Sequence, residues 1–93
     1  MELTFNKQEQ LKRFVLIVED EFINRELLGN IIKDEYNVLY AVNGVEALEI
    51  IEENRATLSV VLLDLMMPEM DGFEVMERMH ADAALRHIPI IVL

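Results

Sequence analysis

The sequence has 93 residues, enough for one domain, and 53% of them are apolar, which suits a packed core rather than a disordered segment. Its 18 acids against 8 bases give a net charge of -10, which argues against direct binding to a phosphate backbone. There is no cysteine, so a disulfide scaffold, a thiolate zinc site and a thiol nucleophile are excluded. No apolar run reaches the length of a membrane span, and the first ten residues lack the apolar core of a secretory signal. A cytoplasmic location is the default expectation.

Residues 1–13 are mixed and polar and read as a leader outside the core. Phe14-Val-Leu-Ile-Val18 is a continuous apolar run of the kind that forms a strand buried on both faces, and Glu19-Asp20-Glu21 stops it. Residues 22–35 follow helical periodicity, with Ile23, Leu27, Leu28, Ile31 and Ile32 as the apolar stripe and Gly29 as a weak point. Asn37–Ala41 reads as a second strand. Asn43 and Glu46 have the spacing of a capping box, opening a helix that ends near Asn54 with Ala47, Leu48 and Ile51 inward. Val60–Leu63 is a third buried strand, stopped by Asp64. Asp71 and Glu74 repeat the cap signature ahead of a helix to about Ala83, striped by Phe73, Met76 and Met79. Ile88–Leu93 is a fourth strand, with Pro89 near its start where a missing N–H is tolerated.

The order β-α-β-α-β-α-β implies right-handed crossovers and a parallel sheet with helices on both faces. In such a sheet all carboxyl ends share one edge, where ligands bind. If the first and third strands are neighbours, Asp20 and Asp64 converge although 44 positions separate them. Convergent carboxylates repel, and a hard divalent cation such as Mg²⁺ relieves that repulsion. A carboxylate beside Mg²⁺ is also a nucleophile toward a phosphoryl donor. Glu21 reads as a first-turn residue favoured by the helix dipole, and Asp71 as a cap. The methionines at 66, 67, 70, 76 and 79 read as packing, and His80 and His87 as helix-end or loop residues. Phosphate-binding glycine loops, a nucleophile elbow and a zincin motif are absent.

Val15-Leu-Ile-Val-Glu-Asp-Glu21, Ala41-Val-Asn-Gly-Val-Glu-Ala-Leu48, Leu62-Leu-Asp-Leu-Met-Met-Pro-Glu-Met-Asp-Gly72 and Ile88-Pro-Ile-Ile-Val-Leu93 together resemble the receiver domain of bacterial two-component response regulators. The resemblance covers residues 14–93. It implies a flavodoxin-like α/β fold with strand order 2-1-3-4, the fifth strand and last two helices of a complete receiver being missing. It implies Asp64 as the phosphorylated aspartate. Mg²⁺ would be held by Glu19, Asp20, Asp64 and the backbone carbonyl of Met66, with Gly72 opening the third helix near the site. A histidine kinase or phosphotransfer protein would be the partner, and the domain would be a self-catalysing phosphoacceptor with slow dephosphorylation rather than a metabolic enzyme.

The sequence stops at Leu93, one residue before the family's switch Ser/Thr, and the phosphoryl-contacting Lys and aromatic switch residue are missing with it. A fragment, a longer chain given in part and a natural short receiver each account for this. A non-phosphorylated docking or dimerisation module is the alternative reading, and a small metal-dependent phosphatase is disfavoured by the lack of a second catalytic acid motif. A bare fourth strand also implies self-association through its edge.

Overall fold

A computed structural model of the protein describes residues 13–93. Strand β1 is Arg13–Val18, helix α1 Phe22–Ile32, strand β2 Tyr36–Ala41, helix α2 Gly44–Glu53, strand β3 Leu58–Leu63, helix α3 Gly72–Ala81 and strand β4 Ile90–Val92. The leader expected at 1–13 lies outside the described residues except for Arg13, which begins β1.

The four strands are parallel and lie in the order β2-β1-β3-β4, as the resemblance implied. β1 takes a central place because Val15 to Val18 have no polar side chain to lose on burial, and all four are at most 2% exposed. Leu16 and Val18 point into one core with Val61 and Leu63 of β3, Ala47 and Ile51 of α2, and Val75 and Met79 of α3. Val15 and Ile17 point to the opposite face, toward α1.

Local chemistry fixes two helix starts as expected. Asn43 Oδ1 accepts from Glu46 N–H at 2.8 Å, and Asp71 Oδ1 accepts from Glu74 N–H at 3.0 Å. Glu46 returns its carboxylate to Val42 N–H at 3.2 Å, one residue before the cap itself. α1 runs unbroken through Gly29, where an added Cβ would meet the ring of Tyr40 on β2.

Two apolar stripes differ from expectation. On α1, Leu28 and Ile32 are half-buried, but Ile23, Leu27 and Ile31 are 63%, 57% and 76% exposed. α1 packs mainly over β1 and β2, which leaves one side of its stripe largely open to solvent. On α3 the buried row is Gly72, Val75 and Met79, while Phe73 points outward. α1 also ends at Ile32 with Lys33 as its cap, and β4 is shorter than the apolar run that encodes it. Past β4, Leu93 N–H still donates to Leu63 O at 2.9 Å.

Candidate functional site

The sheet ladder itself delivers the acids. Glu19 N–H donates to Ala41 O at 3.0 Å, and Asp64 N–H donates to Val18 O at 3.0 Å. Each acid therefore occupies the first position past its strand, on adjacent strands, at the carboxyl edge where the chain order reverses about β1. Glu19, Asp20 and Asp64 each bring one carboxylate oxygen within 4.8 Å of the others. Two unit charges at that separation repel by roughly 1 kcal/mol in bulk water and several-fold more at an effective dielectric near 20.

Glu19 is the buried member, 6% exposed, while Asp64 is half-buried and Asp20 exposed. Burial pushes the Glu19 carboxyl above the ordinary carboxylate range, a hydrogen bond from Glu21 N–H to its Oε1 at 3.1 Å partly offsets this, and Asp64 and Asp20 push it further up. One Asp64 oxygen, Oδ1, accepts from Met66 N–H at 3.0 Å. That bond turns the chain sharply after β3 and keeps Met66, whose carbonyl is one of the expected ligands, beside Asp64. The Met66 side chain is 81% exposed, whereas Met67 is buried in the core and anchors the loop.

Gly72 completes the site from behind. Its N–H donates to Leu65 O at 3.2 Å, and a Cβ placed on it would stand 2.6 Å from Asp64 O and 2.7 Å from Leu65 Cα. The helix can approach the backbone of the acid loop that closely only because residue 72 has no side chain. Asp71 is occupied as the α3 cap, as expected, and Glu21 stands at the N-cap position of α1 without a side-chain cap bond. His80 and His87 are exposed and away from the acids. Arg25 of α1, which the sequence pattern did not single out, reaches the acid segment: its Nη1 donates to Glu19 O at 2.9 Å. No spacing rule marks an arginine seven residues past a strand end for this contact.

Residues 15–93 match the family described as response regulator receiver domain. The chain belongs to that family. The receiver is 37% identical over 84 residues to the polar-differentiation response regulator DivK of Brucella anthropi, covering 89% of this chain and 67% of DivK. It is 38% identical over 85 residues to histidine kinase P4 of Formosa agariphila, covering 91% of this chain but 6% of that protein. Among solved structures, the N-terminal domain of a response regulator receiver protein from Methanoculleus marisnigri JR1 superposes with a TM-score of 0.78 at 32% identity, over 85% of this chain and 63% of that one. The chemotaxis response regulator CheY4 of Vibrio cholerae gives 0.80 at 29% identity, over 87% and 67%. The receiver thus spans between a small fraction and about two thirds of these relatives. No helix among its described residues is long and apolar enough to cross a membrane.

Proposed function

We propose that this receiver accepts a phosphoryl group on Asp64 from a partner histidine kinase or phosphotransfer protein in the cytoplasm, with Mg²⁺ as cofactor. The observation that carries the reading is the convergence of Glu19, Asp20 and Asp64 on one edge with no cation among the described residues paired to any of the three carboxylates. The donor set is all oxygen, which suits a hard divalent ion, and Glu19 is raised first by burial and further by the Asp64 and Asp20 carboxylates beside it. Glu19, Asp20, Asp64 and the Met66 carbonyl would hold the ion, which would supply charge neutralisation for the phosphoryl oxygens.

The residues divide the rest of the work. Asp64 Oδ1 is engaged by Met66 N–H, so the other carboxylate oxygen would be the nucleophile. Attack on the donor's phosphorus forms one O–P bond and breaks the bond to the donor, leaving an acyl phosphate on Asp64. Gly72 and the Asp64–Met66 bond hold the loop still. Slow hydrolysis of the acyl phosphate resets the domain.

Intact-mass measurement with Mg²⁺ and a small acyl-phosphate donor tests this. One phosphoryl group should add to the wild-type chain and none to Asp64→Asn; labelling that survives the substitution would refute the assignment. Mg²⁺ titration by calorimetry should show binding that Asp20→Asn abolishes.

A second reading, a docking or dimerisation module, is favoured by one observation. β4 is a sheet edge, and Ile91, Val92 and Leu93 along it are 53%, 45% and 48% exposed. Register sets Ile91 beside Leu62 and Leu62 beside Ile17 on the face next to the bare side of α1. Under this reading the chain pairs with a second copy through β4, and it binds no Mg²⁺.

A further inference from the structure

The acid pair is held from its amino side by the sheet, through Glu19 N–H on Ala41 O. Past that rung the β ladder stops, and residues 19–21 cross to α1 as a short link. Three contacts of Arg25 span this link. Its guanidinium donates through Nη1 to Glu19 O at 2.9 Å and stands 3.5 Å from Asp20 O. Its own N–H donates to Glu21 O at 2.9 Å. The guanidinium is 5.5 Å from the ring centroid of Phe22, which fixes its direction. Arg25 forms no ion pair with a carboxylate among the described residues, so its charge is spent on backbone carbonyls.

We infer that Arg25 is a positioning residue for the acid cluster. By bonding the carbonyls of Glu19 and Asp20 it fixes both peptide planes, and so sets the direction in which two of the three carboxylates leave the backbone toward Asp64. A guanidinium has the donors to serve two acceptors at once, which an ammonium does with less geometric control. The inference rests on the divalent-cation reading given above. A purely electrostatic role has the opposite signature, because a nearby positive charge repels Mg²⁺ and its removal tightens binding. Loss of positioning weakens binding instead, so the sign of the change separates the two.

The test is calorimetric titration of Mg²⁺ into wild-type protein, Arg25→Ala and Arg25→Lys, at low and high KCl, with ¹H–¹⁵N spectra of the metal-free proteins. Arg78→Ala, which removes an exposed arginine paired to Glu74, serves as a charge control. Arg25→Ala should bind about three- to tenfold more weakly, as befits the loss of charge-assisted hydrogen bonds. The deficit should persist in high salt, where the charge effect is screened. Arg25→Lys should fall between, and the metal-free amide shifts should concentrate at Glu19 to Phe22. Equal or tighter binding by Arg25→Ala overturns the inference. If Arg25→Ala fails to fold, Arg25→Lys decides: wild-type affinity overturns positioning, and weaker binding at unchanged melting temperature supports it. A wild-type protein that binds no Mg²⁺ overturns the cation reading and the inference together, a result distinct from failure of the inference alone.

Discussion

Gly72→Ala puts the coupling between α3 and the acid loop to a quantitative test. Gly72 does not have positive φ, so alanine meets no backbone penalty there and space alone decides. The new Cβ would begin 2.6 Å from Asp64 O and 2.7 Å from Leu65 Cα, whereas ordinary contact starts at 3.4 Å. Helix and loop must therefore separate by about 0.7–0.8 Å, and both partners are backbone, which has no rotamer to yield. Overpacking of this kind costs about 1–3 kcal/mol, offset by up to about 1 kcal/mol of helix propensity. The midpoint of the net loss, about 1.5 kcal/mol, corresponds to roughly 6–12 °C in melting temperature for a domain of this size. The same displacement moves Asp64, and misplacement approaching 1 Å at a reacting group costs up to about 100-fold in rate. Thermal melts and acyl-phosphate labelling kinetics measure both. Gly29→Ala is the control: its Cβ meets the outer end of the Tyr40 side chain, which can swing toward solvent, so its melting temperature should fall less and its labelling rate should stay unchanged. A Gly72→Ala protein that melts and labels like wild type would refute the argument that the bare glycine sets the position of Asp64.

Two further outcomes are expected. Because burial and the Asp64 and Asp20 carboxylates raise the Glu19 carboxyl above 4.5, the folded state keeps a proton that the unfolded chain has released. This contribution is complete below the unfolded value and is lost as pH rises through the folded one. The melting temperature in EDTA should therefore carry a falling component across that window that Glu19→Gln removes; an unchanged pH slope in Glu19→Gln contradicts it. In sedimentation velocity, the 93-residue chain should show reversible self-association at high concentration, and a charged substitution such as Ile91→Lys on the open strand should reduce it; a compact monomer throughout argues against pairing through β4.

Much of the fold was legible because sequence and surroundings agree. Four consecutive core residues in β1 and abrupt acids after β1 and β3 announce a central parallel strand pair with its chemistry at one edge. The caps at Asn43 and Asp71 were readable since the bond is made within three residues. The bare side of α1 was not, because the spacing of Ile23, Leu27 and Ile31 records that a face is apolar and not whether anything covers it. Val75 was missed because periodicity admits both the Phe73–Met76 row and the Gly72–Val75–Met79 row, and only the backbone of the acid loop selects the second. β3 begins at Leu58, two residues before the expected start, where its pairing with Phe14 precedes a register irregularity. The Arg25 contact depends on the path of three link residues, which no pattern in the chain specifies.

The hydrogen bond from Leu93 N–H to Leu63 O continues the β3–β4 register by one step and sets Leu93 level with Asp64 on the neighbouring strand. Neighbouring strands lie about 5 Å apart. A fluorophore attached at position 93 would thus sit beside the acid cluster, where a change of local charge alters its emission. Position 93 is therefore a labelling point for an optical sensor of that edge, with no substitution among Glu19, Asp20 and Asp64.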